Sequence, residues 1–224
     1  MTIVIKWWIL GAIALFIFAI ILLFHYSICI EDADIIQLPE PEKEGGMPWY
    51  EALSKRQSLR NFTPDKKIDI KVLSQALWSC YGVNRSNGLL TTPSATGWHP
   101  LIVYVFIEEG VYKYVPSNHS LIRVLSGDYR EMTGTQTKVV TTASVNFVLI
   151  ADFMKKSSMD GDDEHKLRSI YLDTGHCTMA LGLFAAANNM KGVDRAMVDV
   201  DPLLQLLGLQ KGAYIFTLSY SLGY

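Results

Sequence analysis

Two arginines and a serine lie close together in the segment 55–62. Arg56 and Arg60 stand four positions apart, and Ser58 lies between them. An arginine presents a rigid fork of donors that suits phosphate and ring carbonyl oxygens, and a serine hydroxyl can donate or accept a hydrogen bond. The segment could therefore hold a phosphorylated ligand, although two arginines at an exposed helix end are also a common solvated feature.

Further candidates for ligand contact follow downstream. Pro93-Ser94-Ala95 precedes a long apolar run, Gln136 lies in a polar segment, and Gly175-His176 lies inside a second apolar stretch. Each alone has an ordinary explanation, namely a turn, a solvated amide and a core histidine. The three cysteines lack the spacing of metal ligands or of a disulfide framework. No nucleophile or acid–base pair stands out, so we predict no metal and name no catalytic residue.

The N-terminus carries a separate apolar unit. Residues 7–24 contain no charged side chain, and a helix of that length would extend about 27 Å, close to the thickness of a bilayer core. Lys6 precedes the run and Glu31 and Asp32 follow it, so the positive-inside rule places the rest of the chain outside the cytoplasm. A cleaved signal peptide, which would give a secreted protein, is the main alternative. A buried core helix is the third.

These features divide the chain into three parts. Residues 1–30 are the transmembrane anchor or signal segment. Residues 31–46, with two prolines, several acids and two adjacent glycines, are expected to be an extended linker. Residues 47–224 are expected to form one domain, because half of the chain is hydrophobic and can supply a core. The net charge of −2 gives no electrostatic reason to expect a nucleic-acid partner.

Helical patterns recur through the predicted domain. One helix begins after the capping residue Asp69 and ends at Gly82. The longest, over residues 162–190, starts with acids and is apolar or small through its middle. That composition is typical of a helix buried on most sides or at a subunit interface. Shorter helices are expected over residues 49–54 and 119–125 and from Asp201-Pro202 onward.

Strands are predicted between these helices. Continuous apolar runs over residues 101–107 and 145–151, rich in β-branched and aromatic residues, indicate buried strands. Glu108-Glu109-Gly110 provides a turn to a second strand over 111–115, and a final strand is predicted over 213–220. Residues 84–97 are expected to be loop. Helices and strands mixed in this way predict an α+β fold in which helices cover a sheet.

The order of the candidate motifs resembles that of the flavin-dependent nitroreductase family, most closely its branch of thiazoline- and oxazoline-oxidase-like dehydrogenases. The resemblance runs from about residue 47 to residue 223. It implies a nitroreductase-like fold with a central, mostly antiparallel sheet, and a homodimer that binds FMN at the subunit interface. The motifs that carry it are Arg56-x-Ser58-x-Arg60, Pro93-Ser94-Ala95, Gln136 and Leu172-Asp173-Thr174-Gly175-His176.

The resemblance also implies which residues contact FMN. The basic segment would reach its phosphate, ribityl and pyrimidine end, the loop 93–95 would line it from the partner subunit, and an amide at position 136 would bind the pyrimidine edge. Residues 193–197 would form a loop whose backbone N–H groups donate to N5. The expected cofactor-binding residues are Arg56, Gln57, Ser58, Arg60, Pro93, Ser94, Ala95, Gln136, Arg195 and Ala196.

Several neighbouring residues carry weaker expectations. No basic residue follows the last predicted strand, so the phosphate would depend on the arginines of segment 55–62, with Lys55 or a helix end. Gly175 is expected to allow close packing, and His176 is expected to be a core histidine. Asn84, Arg85 and Trp98 are expected either to shape the substrate side or to be plain loop residues.

The activity implied by the resemblance is that of an FMN-dependent oxidoreductase. It would pass hydride or electrons between a donor such as NAD(P)H and a small nitroaromatic- or quinone-like acceptor. Because soluble nicotinamide is scarce outside the cytoplasm, an electron donor other than NAD(P)H is an alternative. Flavin-dependent dehydrogenation of another substrate is one alternative, and a non-catalytic, membrane-tethered interaction module is another.

Overall fold

A seven-stranded sheet organises the described residues, 34–156 and 162–224, of this computed structural model. The order across the sheet is β1-β4-β3-β2-β5-β7-β6, and each neighbouring pair is antiparallel. The predicted antiparallel sheet is therefore confirmed, and β6 forms one edge. The strands are β1 (Ile35–Gln37), β2 (Leu101–Ile107), β3 (Gly110–Val115), β4 (Ser120–Ser126), β5 (Val145–Asp152), β6 (Lys191–Arg195) and β7 (Tyr214–Gly223).

Five α-helices accompany the sheet in the same ranges of the chain. They are α1 (Trp49–Lys55), α2 (Ile70–Tyr81), α3 (Thr137–Thr142), α4 (Asp163–Ala187) and α5 (Val200–Leu206). As predicted, Asp69 caps α2, by accepting from the Lys71 backbone N–H at 2.8 Å. Asp162 caps α4 through the backbone N–H of His165 at 3.0 Å. Such caps satisfy N–H groups that a helix start leaves without partners.

Apolar side chains cover both faces of the sheet. On one face, Leu77 of α2 and Leu181 of α4 pack with strand residues such as Phe147, and all three are fully buried. On the other face, Leu203 of α5 packs with Phe106 of β2. Central strands that are buried on both faces need apolar side chains at successive positions, which explains the continuous apolar runs in the sequence.

The membrane segment predicted over residues 7–24 lies outside the described residues. Within 34–156 and 162–224, no helix is both long and apolar enough to cross a bilayer.

The linker expected over 31–46 is contradicted at residues 35–38, while residues 31–33 lie outside the described part of the chain. Residues 35–37 form β1, which pairs with β4 through registers such as Ile36 with Leu121. Leu38 follows with only 4% of its surface exposed. The folded body therefore begins before Met47, because the apolar residues between the acids and the prolines are used as an edge strand.

Three other predictions of local structure are corrected. The helix predicted over 119–125 is instead the strand β4 (Ser120–Ser126), since this segment gains hydrogen-bonded neighbours on both sides, β1 and β3. Residues 193–195 are not loop but the end of β6, which pairs with β7 through Arg195 and Ser219. Helix α5 starts at Val200, so Pro202 is its third residue, a first-turn position where the missing N–H is still harmless.

Candidate functional site

The basic segment after α1 runs beside the edge strand β6. The Leu59 backbone N–H donates to the Gly192 carbonyl at 2.9 Å, and Lys191 Nζ donates to the Asn61 carbonyl at 2.6 Å. Phe62 is buried and anchors the far end of the segment. Backbone ties and one apolar anchor therefore fix the segment, while the side chains of residues 56–58 and 60 remain exposed for a ligand.

One pocket opens where β6 ends. The loop before α3 reaches it, because the Thr135 backbone N–H donates to the Met197 carbonyl at 3.0 Å. Four of the ten predicted cofactor residues come together here: Arg60, Gln136, Arg195 and Ala196. The residues that line the pocket are Arg60, Gln136, Asp194, Arg195, Ala196 and Met197. A guanidinium, a carboxamide and backbone N–H groups at one place suit a ligand with carbonyl, ring-nitrogen or phosphate acceptors.

The other members of the first motif separate around this pocket. Arg56 lies near the pocket residue Asp194, whose pKa is raised by burial and partly lowered again by the Arg56 charge. Its stem passes Gly182 of α4, where an added Cβ would already be in van der Waals contact at 3.7 Å. Gln57 lines a neighbouring pocket with Asn189, so the structure does not bring it to Arg60. Ser58 is exposed between them.

The loop 93–95 lies elsewhere, on α4. The Ser94 hydroxyl donates to Asp173 Oδ2 at 2.5 Å, and the Ala95 backbone N–H donates to Oδ1 at 3.3 Å. Ser94 Oγ also accepts from the His99 backbone N–H at 2.8 Å. Pro93, Ser94 and Ala95 do not line the Arg60 pocket of the same chain. Asp173 belongs to the motif quoted from the sequence but was given no role there, although a lone carboxylate in the apolar centre of a long helix was the available signal.

The residues expected near the substrate side are held by internal contacts. Arg85 donates from Nε to Asn84 Oδ1 at 2.8 Å and from Nη2 to the Leu90 carbonyl at 2.7 Å. Trp98 is buried and donates to the Lys155 carbonyl at 3.1 Å. These contacts support the interpretation that Asn84, Arg85 and Trp98 are plain loop residues, because their polar groups already form hydrogen bonds within the protein.

Arg195 differs from its expected role. Only its backbone was expected to matter, yet its side chain is buried, with 6% of its surface exposed. The guanidinium donates to the Thr133 carbonyl. Burial lowers the pKa of Arg195 to about 10, so it remains positively charged at neutral pH.

Helix α4 has an exposed apolar face that contradicts two predictions. His176 is exposed rather than in the core, and an added Cβ at Gly175 would meet nothing within 4 Å in this chain. Both lie on the side of α4 that also exposes Tyr171, Leu172 and Met179. The prediction failed because the small and apolar residues of this helix surround it on all sides, so the pattern did not reveal which side the sheet covers.

The described residues thus form an antiparallel α+β fold with a polar pocket at one edge of the sheet, where side-chain and backbone donors could contact a small ligand. The sequence model of the Nitroreductase family matches residues 53–224. The chain therefore belongs to the nitroreductase family, and it is an oxidoreductase.

Individual relatives agree with this assignment. A nitroreductase-like protein of Methanocaldococcus jannaschii is 29% identical over 161 residues, which cover 68% of this chain and 78% of that protein. The crystal structure of a nitroreductase-like protein of Ralstonia eutropha is 30% identical, with a TM-score of 0.78, over 84% of this chain and 88% of the other.

A second structure was crystallised in complex with FMN. This nitroreductase-like protein of Desulfovibrio desulfuricans has a TM-score of 0.57 and 16% identity, over 80% of this chain and 87% of that one. At this identity the similarity demonstrates the shared fold alone.

Proposed function

We propose that this protein is an FMN-dependent oxidoreductase that uses the pocket at the end of β6. The observation that carries the proposal is the convergence of Arg60, Gln136 and the Ala196 backbone on one pocket, in a chain of the nitroreductase family. The exposed Arg60 and Gln136 side chains have no hydrogen-bond partner among the described residues, so their polar groups are available to a ligand. The residues present therefore fit a flavin nucleotide.

Bound FMN would supply the hydride chemistry, and the protein residues would bind and orient it. Arg56 and Arg60 would hold the anionic or carbonyl end by charge-assisted hydrogen bonds. The Gln136 amide can donate to a carbonyl and accept from a ring N–H at once. The backbone N–H of Ala196 would donate to a ring nitrogen, a role that does not depend on its side chain. No protein nucleophile is required by this chemistry.

We also propose that the working unit is a homodimer. The loop 93–95 does not line the Arg60 pocket of its own chain, so it would complete the pocket of a second copy. An exposed apolar surface supports such an interface, because side chains of this size are seldom left together in water. It comprises Tyr171, Leu172 and Met179 of α4 and Trp49, Tyr50 and Leu53 of α1.

The donor, the acceptor and the location belong to the same proposal. We favour NAD(P)H as donor and a small nitroaromatic- or quinone-like acceptor, with the thiazoline- and oxazoline-oxidase-like branch as the nearest relatives. Anchoring through residues 7–24 would place the domain outside the cytoplasm, and cleavage there would release it. The alternative chemistry is dehydrogenation of another substrate. The non-catalytic module considered from the sequence is disfavoured by membership of the nitroreductase family and by the available Arg60 and Gln136 groups.

The test is the absorbance spectrum of the purified full-length protein in mild detergent. Flavin bands that bleach anaerobically with NADH or NADPH would support the proposal, whereas bands that do not bleach would favour the dehydrogenase. Arg60→Ala should weaken FMN binding about tenfold or more, because a hydrogen bond to a charged group contributes roughly 1.5–3 kcal/mol. Lys211→Ala is the control, since Lys211 pairs with Asp201 away from the pocket. Absence of flavin even after soaking with FMN would refute the proposal that the protein works with FMN.

The dimer is tested separately by light scattering. Leu172→Glu should shift the protein to a monomer and lower its FMN occupancy, because it places a charge in the proposed interface. Asp163→Ala, on an exposed position of the same helix, should leave both unchanged. A monomeric wild-type protein that retains FMN would refute the shared site.

A further inference from the structure

The side chain of Arg195 is buried in an arrangement that does not satisfy it. Its Nη2 donates to the Thr133 carbonyl and lies 3.4 Å from Ser219 Oγ. Its Nε and Nη1 are buried without a hydrogen-bond partner in the described part of the chain. Donors left unpaired in the interior cost stability. Stability alone therefore does not explain why an arginine occupies this position.

The guanidinium lies against the loop that carries Gln136. A Cβ added to Gly134 would overlap the guanidinium and lie 2.6 Å from Arg195 Cζ. The same loop is tied at two more points, since Ser219 Oγ donates to the Thr133 carbonyl at 3.0 Å and the Thr135 N–H donates to the β6 extension at Met197. Arg195 is thus packed directly behind the segment that brings the Gln136 amide to the pocket.

The positive charge of Arg195 is also uncompensated. Among the described residues it forms no ion pair, and burial is the one cause that shifts its pKa. A buried charge is screened less than a charge in water and acts over several ångströms. Its charge therefore contributes to the electrostatic environment of the pocket that Arg60, Gln136 and Ala196 line.

We propose that Arg195 is a positioning residue of the pocket: it holds the loop 133–136 so that Gln136 faces the ligand, and it supplies buried positive charge that favours the reduced form of bound FMN. Reduction adds electrons to the flavin, and uncompensated positive charge nearby stabilises the state with more negative charge. This inference rests on the proposed function for its second half, whereas its first half concerns the protein alone.

Three variants of the full-length protein separate the two effects. Arg195→Met removes both the planar fork of guanidinium donors and the charge while keeping a side chain of similar length. Arg195→Lys keeps the charge but loses the planar fork. Ser219→Ala removes a second tie to Thr133 and leaves the charge in place. Arg168→Met is the matched control, because Arg168 is exposed and pairs with Glu164 on α4. The measurements are amide hydrogen exchange of residues 133–140 without FMN, FMN affinity, and the midpoint potential of bound FMN.

Arg195→Met should speed exchange in the loop at least threefold and weaken FMN binding about tenfold. It should also reduce the preference for reduced over oxidised FMN about tenfold, which lowers the two-electron midpoint potential by about 30 mV. Arg195→Lys and Ser219→Ala should speed loop exchange but leave the potential unchanged. Arg168→Met should match the wild type in every measurement.

Wild-type loop exchange in Arg195→Met would overturn the positioning role, and an unchanged potential would overturn the electrostatic role. If Arg195→Met does not fold, Arg195→Lys tests both roles. Hydrogen exchange at the wild-type rate in Arg195→Lys would refute the positioning role, and a lowered midpoint potential in a variant that keeps the charge would refute the electrostatic role. A wild-type protein that binds no FMN would instead refute the proposed function. The exchange comparison would then still test whether Arg195 orders the loop.

Discussion

Replacing Asp173 tests how the loop 93–95 is held. The residue is 3% exposed, and its carboxylate accepts from the Ser94 hydroxyl at 2.5 Å and from the Ala95 backbone N–H at 3.3 Å. Asp173→Ala would leave both donors without their acceptor inside the protein. The substitution should therefore destabilise the fold and loosen this loop, which is the part of the chain proposed to reach the flavin of a second copy.

The magnitude follows from these two contacts. Hydrogen bonds to a charged group contribute about 1.5–3 kcal/mol each, and the contact at 3.3 Å belongs at or below the lower end of that range. Removing a buried charge recovers part of its desolvation cost. We expect the free energy of unfolding to fall by about 2–3 kcal/mol in Asp173→Ala and by about 1–2 kcal/mol in Ser94→Ala.

Urea denaturation at fixed protein concentration measures these changes. In a double-mutant cycle, Asp173→Ala and Ser94→Ala should show a coupling energy of about 1 kcal/mol or more, because each removes one side of the same bond. Asp163→Ala on the exposed start of α4 is the control and should change stability by less than about 0.5 kcal/mol. A coupling energy below about 0.3 kcal/mol would refute the role given to this contact.

Three further predictions follow from packing and protonation. Gly192→Ala should lower the free energy of unfolding by about 1–3 kcal/mol in thermal melts. The added Cβ would overlap the Tyr220 hydroxyl and lie 2.7 Å from Tyr220 Cζ. An unchanged free energy of unfolding would show that Tyr220 can move aside. Burial lowers the pKa of His119, so the unfolded state binds the proton more tightly than the folded state does. The free energy of unfolding should therefore fall as the pH drops below about 6.5. In His119→Gln, the free energy of unfolding should depend less on pH over this range. Cys80 and Cys177 are buried, and the pKa of the Cys80 thiol is raised by its hydrogen bond to Cys177 and by burial. Mass spectrometry should therefore find both unalkylated until the protein unfolds, and rapid native labelling would contradict this.

The elements with strong local signals were predictable from the sequence. Helix α2 has a capping aspartate and a following glycine, and β2 and β5 have continuous apolar runs, so propensity and burial agree there. Strand β4 was missed because Leu121, Ile122, Val124 and Leu125 are spaced as on one face of a helix, and the segment becomes a strand by pairing with β3, which precedes it directly, and with the distant β1. Strand β1 was taken for linker because its partner β4 lies more than eighty residues further along the chain.

Only part of the candidate site was likewise predictable from the sequence. Arg60 and Gln136 were identified by residue type and order, and the structure brings them to one pocket. The burial of Arg195 could not be inferred, because it depends on Gly134 and Ser219, which approach from other parts of the chain. The separation of Gln57 from Arg60 depends on the path of the backbone beside β6, which the motif alone does not determine.

Strand β1 decides where this chain can be shortened without harm. A fragment that starts at Met47 would lose β1 and would uncover the backbone N–H and C=O groups of residues 120–122, which pair with β1 in the structure. Unpaired strand edges of this kind join between molecules and lead to aggregation. A soluble fragment for biochemical work should therefore start at or before Asp34, even though the family match begins only at residue 53.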